Sequence, residues 1–379
     1  MRCWIPLLLS LSLCLVSSVF AQVTELPTWQ AGEEWAWGGS YDLNEILSSV
    51  FQQLVESGVV GNWEGGGRLD SYGLMRVESI EDEHYRTSLK SGMLLNLKVS
   101  LIPPAASPEV AKLFEASIHG AMRANGTMLL TRQLALERME ITIRGDFAVN
   151  MKGGGFEWDI RGSDFWLSLS IAIDEPLNLL NFPITVGENW EFQSTVHAFC
   201  SIKGQLQGKI VTPDYENSFS ERIGWDNAFD MFIQGFCQCT GVAEMDIDGV
   251  KDNCFEIEVQ EFSQGASQVL PLTFRVYYSP VKKNLVAFEM DWSDFLLTME
   301  SALEPAVRKE AMVPDTYEGI KGALRSASET ETLRLSYHSP QEVRQALAKI
   351  ETTKKEISWV LVAVPVIIVA SIVLVKKFY

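Results

Sequence analysis

Four cysteines in the second half of the chain, Cys200, Cys237, Cys239 and Cys254, come nearest to a chemistry-bearing constellation. An even count in an exported chain favours disulfides. Three pairings are open, of which Cys237 with Cys239 is the weakest, because same-side neighbours on one strand seldom bridge. Two rivals stand beside this reading. Four thiolates would suit a metal, but Cys237-Gln238-Cys239 is spaced more tightly than the C-x(2–4)-C of zinc sites. Free or redox-active thiols are the other. Disulfides are the expectation.

Nothing else in the chain makes a catalytic set. His84, His119, His197 and His338 are not in a nucleophile motif, and no G-x-S-x-G, H-E-x-x-H or P-loop is present. Each histidine is read as structural or exposed. Asp246, Asp248, Gly249 and Asp252 have the look of a calcium loop, but a third acidic position before the glycine is missing. Ile257 also stands where the closing glutamate belongs, so a hairpin turn at Asp248-Gly249 explains the same residues. Glu81-Asp82-Glu83 reads as a solvent-facing turn. Asn125-Gly126-Thr127 is a glycosylation sequon, placed in a loop. The tryptophans are read as packing rather than sugar-stacking residues, because Trp35 and Trp190 recur at matched positions. No catalytic residue, cofactor or metal is expected, and the chain is not read as an enzyme.

Strands must position whatever site there is. Met139, Ile141, Ile143, Gly145, Phe147, Val149 and Met151 alternate with mostly polar residues, as do Leu167, Leu169, Ile171 and Ile173. Phe274, Val276 and Tyr278, then Val286, Phe288, Met290 and Trp292, continue the pattern. A period of two means a sheet with one buried face. Helices are expected at 43–57, started by Asp42 and Glu45 with an apolar stripe through Leu43, Leu47 and Phe51, and more weakly at 226–234. A third is expected at 340–356, where Pro340 and Glu342 make a strong start.

The chain also repeats itself. Pro27, Gly32, Glu33 and Trp35 correspond to Pro183, Gly187, Glu188 and Trp190, and in each half a strand pair about an acidic turn follows. The expected fold is mainly β: antiparallel sheets, sandwich or half-barrel-like, with a few short helices. Two related modules, 22–176 and 177–303, are followed by a charged helical stalk at 304–356.

The ends suggest export and anchoring. Residues 1–21 have the basic start, apolar core and small-residue end of a signal peptide. The uncharged run 357–375 approaches the ~20 residues that cross a bilayer, leaving 376–379 as a cytoplasmic tail. The expected location is the cell membrane, single-pass, with the N-terminus outside. The alternative is the endoplasmic reticulum, from the dilysine ending Lys376-Lys377-Phe378-Tyr379. With 49 acidic against 31 basic residues the net charge is −18, which repels phosphate backbones and excludes nucleic acid as a partner. The partners expected are the bilayer and an extracellular protein, glycan or lipid.

The repeated P-x(3–4)-G-E-x-W opening, with Tyr277-Tyr278-Ser279-Pro280 leading to Leu285-Val286, resembles exported, membrane-anchored β-rich surface proteins of archaea and bacteria. The resemblance implies architecture and location and carries over no site residues. The leading expectation is therefore a surface protein with a binding or structural ectodomain. Its rivals are a carrier of an apolar ligand in a curved sheet, with helix 43–57 as lid, and a redox or hydrolytic enzyme using the cysteines.

Overall fold

A computed structural model of the protein describes residues 23–56, 60–102, 114–153, 156–212, 215–264, 269–291 and 332–352. The period-two alternation becomes long strands. The first half holds β1 (Val23–Thr24), β2 (Glu34–Asp42), helix α1 (Asn44–Glu56), β3 (Asn62–Glu81), β4 (His84–Ile102), β5 (Phe114–Thr131), β6 (Leu136–Gly153) and β7 (Phe156–Leu177). The second holds β8 (Ile184–Thr185), β9 (Asn189–Thr212), β10 (Tyr215–Ile247), β11 (Val250–Gln264), β12 (Val269–Ser279), β13 (Asn284–Asp291), β14 (Thr332–His338) and helix α2 (Pro340–Thr352).

Two modules, sandwich or half-barrel, were expected; the strands instead form one closed barrel. β2 to β7 and β9 to β14 pair antiparallel in chain order, β7 joins β9, and β14 returns to β2, while β1 and β8 form a separate two-stranded sheet. Closure removes sheet edges that two separate modules would leave bare.

The halves nonetheless share a local construction. Gly32 and Gly187 both take positive φ, 91° and 87°, a conformation glycine reaches without a Cβ clash. The amide of Gly32 donates to Val77 O and that of Gly187 to Cys239 O, each at 2.8 Å. Glu33 N donates to Gln30 O and Glu188 N to Thr185 O, each at 3.1 Å. A register shift follows in both facing strands, at Val77/Ser79 and at Cys239/Gly241.

The halves differ between their first two strands. The first inserts α1; the second runs β9 and β10 onward as a long hairpin, so the helix expected at 226–234 is strand. There Asn227, Ala228 and Phe229 lie opposite Cys200, Phe199 and Ala198 of β9, and cross-strand pairing overrides a weak helical period. Among the described residues, 215–231 of β10 pairs with β9 alone and 62–67 of β3 with β4 alone. Among the described residues the barrel is therefore a closed ring at one end and a trough at the other.

Helix α1 lies in that trough. Asp42 Oδ1 caps it by accepting from Asn44 N at 2.9 Å, and Asn44 Oδ1 accepts from Gly67 N of β3 at 3.1 Å. Leu43, Leu47 and Phe51 are buried among Leu95, Leu97, Ile118, Phe147 and Phe165 of the inner sheet face.

Helix α2 is capped by Ser339, whose Oγ accepts from Glu342 N at 3.3 Å. Helix α2, the described part of the helix expected at 340–356, packs on the outer sheet face, where Val343 meets Ala36 and Leu74 and Arg344 pairs with Glu34; the rest of the expected 304–356 stalk, apart from 332–339, lies outside the described residues.

The expected transmembrane helix is also corrected. No helix among the described residues is long and apolar enough to cross a membrane. The runs 357–375 and 1–21 lie outside those residues.

Candidate functional site: an apolar cavity in the closed ring

Inner-face positions of β4 show how the interior is layered. Tyr85 is buried at the closed end, Leu89 and Ser91 line a cavity, and Leu95, Leu97, Val99 and Leu101 pack into the cluster beneath α1. The cavity holds about 540 Å³, within the range of small-molecule sites.

Its wall draws on both halves. Trp37, Met75, Met128 and Leu130 come from the first, and Phe192, Phe274, Val276 and Phe288 from the second. Leu179 and Leu180, in the segment joining the halves, complete it. Beside the indoles of Trp29 and Trp37, the lining residues with polar side chains are Ser71, Tyr72, Ser91 and Asn284, and none of the lining residues is charged. The wall is apolar because strands with alternating side chains present the apolar set inward, and closure brings those faces together.

Tryptophans plug and fasten this end. Trp29 is 1% exposed, with ring centroids 4.5 Å from Trp35 and 5.0 Å from Tyr85. Its Nε1 donates to Lys283 O at 2.7 Å, and Trp35 Nε1 donates to Lys282 O at 2.7 Å. Across the other wall, the Phe182 ring meets Tyr278 edge-on at 5.2 Å. At the opposite end, beside the trough, Tyr215 and Phe229 stand on the inner face of β10, 57% and 41% exposed.

The cysteines do not gather. Cys200, Cys237, Cys239 and Cys254 are all free, which overturns the disulfide expectation. Cys237 and Cys239 lie opposite Val259 and Ile257, Cys254 opposite Ala243, and Cys200 opposite Asn227 and Leu169. No two are cross-strand partners. Burial pushes the thiols of Cys237 and Cys254 up to about 12 and that of Cys239 to about 11, so they stay protonated at neutral pH. Among the described residues no group of histidine, cysteine and carboxylate side chains could hold a metal ion.

The other sequence candidates lie apart. His84 Nε2 is 3.0 Å from Glu137, His119 Nδ1 is 3.1 Å from Asn96 Oδ1, and His338 Nδ1 is 3.8 Å from Glu342. Asp246 Oδ1 accepts from Gly249 N at 2.7 Å in the β10–β11 turn, with Asp248 and Gly249 both at positive φ, so these residues build a hairpin. Asn125 sits within β5 opposite Lys90 and Thr142 rather than in a loop, on the exposed outer face. Ser71, Ser91 and Asn284 were not singled out in sequence. Small polar residues at inward positions of apolar strands are the signal that would have found the two serines.

Comparison with protein-family models, with curated proteins and with solved structures finds no match to this chain.

Proposed function

We propose that the protein is a carrier of an apolar ligand, held inside the closed ring with α1 as its lid. The observation that carries this reading is the 540 Å³ cavity, whose lining residues are mostly apolar and none of them charged. Filling it with an apolar molecule removes water from that surface at roughly 25 cal/mol per Å² of apolar area. The trough beside α1, where β10 pairs with β9 alone among the described residues, is the route in and out. A redox or hydrolytic role through the cysteines draws less support, because their thiols are scattered and held protonated.

The test is to extract the purified full chain with organic solvent, identify what is released, and titrate the emptied protein with a neutral apolar fluorophore. A single saturable site, lost when Ser91→Trp fills the cavity, is the expected result. If nothing is released and no uptake occurs, or if Ser91→Trp leaves uptake unchanged, the carrier reading fails.

A further inference from the structure

The outer face of β5, β6 and β7 carries a polar groove of about 820 Å³. It lies across the sheet from the apolar cavity: Met128 and Leu130 of β5 line the cavity, whereas Asn125 and Thr127 line the groove. Register shifts flank it at Leu136/Arg138 and Gly145/Phe147 of β6 and at Ser163/Trp166 of β7, and such bulges bend a strand.

Two cations stand at one end. Arg123 of β5 and Arg144 of β6 are direct cross-strand partners, so their Cβ atoms share one face about 5 Å apart. Like charges placed opposite one another destabilise a sheet. Neither guanidinium has a hydrogen bond or ion pair among the described residues, although the chain carries 49 acidic residues. The carboxylate nearest in sequence to Arg144 is Asp146, whose Oδ1 instead accepts from Asp164 N at 2.9 Å. Two planar donor forks left open side by side match a carboxylate or another oxyanion.

The remainder of the groove is suited to hydroxyls. Asn125 faces Thr142, Thr142 faces Ser168, and Glu140 at the far end faces Thr127 and Ser170. Four residues separate Arg144 from Glu140 along β6, about 14 Å of strand. A lone inorganic anion would leave most of that length empty, and a continuous polyanion would bring like charge to Glu140. One acidic end followed by a hydroxylated body fits both ends, because the Glu140 carboxylate accepts from hydroxyls.

We propose that this groove binds an acidic sugar, with its carboxylate held between Arg123 and Arg144 and its hydroxyls on the amide and hydroxyl side chains beyond them.

The experiment titrates the full chain calorimetrically with cellobiouronate, its methyl ester, inorganic phosphate and triglycine. Cellobiouronate is expected to bind, with the other three at least about tenfold weaker, as loss of a charge-assisted hydrogen bond predicts. Arg123→Gln and Arg144→Gln are each expected to weaken cellobiouronate about tenfold and to change the methyl ester less than about twofold. Without ligand, each substitution should leave the melting temperature equal or higher, because it relieves the like-charge pair.

No binding of cellobiouronate at millimolar concentration overturns the proposal, as does equal binding of acid and ester or indifference to both arginine substitutions. Phosphate or triglycine binding as tightly as cellobiouronate overturns it in favour of a plain anion site or a peptide site. Should a glutamine variant not fold, Arg144→Lys takes its place: it keeps the charge and loses the fork, and unchanged affinity there counts against the proposal.

Discussion

Trp37 of β2 donates its indole Nε1 proton to the backbone carbonyl of Leu285 on β13, at 2.8 Å, although β14 lies between those strands in the ring. The pairing of β14 with β2 spans only Ser336, Tyr337 and His338 against Gly38, Trp37 and Ala36. The tryptophan thus fastens the last joint of the barrel where the ladder is shortest. Trp37→Phe keeps most of the ring volume and removes the donor. A loss of about 1–3 kcal/mol is expected, read as a lower urea midpoint with unchanged slope. A midpoint within error of the wild type would show that the joint does not need this bond.

Glycine beneath an aromatic ring shapes the cavity wall. A Cβ at Gly235 would come 2.1 Å from Phe192 Cζ, whereas at Gly241 it would meet nothing within 4 Å. Gly235→Ala is expected to destabilise by ~1–3 kcal/mol, the usual cost of overpacking. Because Phe192 lines the cavity, the same variant should alter apolar uptake. Gly241→Ala serves as the control and should be close to neutral in thermal melts; equal effects at the two positions would refute the account.

His197 spans two carboxylates on neighbouring strands. Its Nδ1 lies 2.7 Å from Asp230 Oδ1 on β10 and its Nε2 3.0 Å from Asp174 Oδ1 on β7. The hydrogen bond to Asp230 is the larger cause, followed by that to Asp174, of an imidazole pKa raised above its ordinary 6.5. A pKa raised on folding gives stability that is fully present below the unfolded value and is lost as pH rises through the folded one. The melting-temperature difference between wild type and His197→Gln should therefore be larger at pH 5.5 than at pH 9. An imidazole NMR titration should move down in Asp230→Asn. The group is exposed, so the effect is small, and a titration midpoint at or below the ordinary value would contradict it.

Alkylation separates free thiols from the disulfides expected from composition. Iodoacetamide acts on thiolates, so Cys237, Cys239 and Cys254 should stay unlabelled in the folded protein at neutral pH. They should label fully in denaturant without a reductant, as read by peptide mass spectrometry. Any of the three that labels in denaturant only after reduction would restore a disulfide.

Much of the fold was legible residue by residue, but its closure was not. Met139 to Met151 in alternation, and Leu167 to Ile173, do share the inner face, because side-chain direction along a strand depends on local geometry alone. Helix α1 was readable for the same reason: Asp42, Leu43, Leu47 and Phe51 are close in sequence. Which strand meets which is a non-local fact. Residues 36–38 carry no mark that 336–338 will lie beside them, and residues 226–234 show a weak helical period that pairing with β9 overrules. The site suffered most. Its wall takes Trp37 and Leu130 from one half and Phe192 and Phe274 from the other, and nothing local to any of them marks the others as neighbours.

The ring has two joints between halves, β7 to β9 and β14 to β2, and each ties one half to the other. Neither half can therefore satisfy its own terminal strands: cut between 178 and 182, each piece would carry two bare hydrogen-bonding rims and half of a greasy wall. Such pieces would be sticky alone and mutually completing together. Assembly of the pocket and closure of the ring are in this sense one event, with no half-built form able to hold a guest.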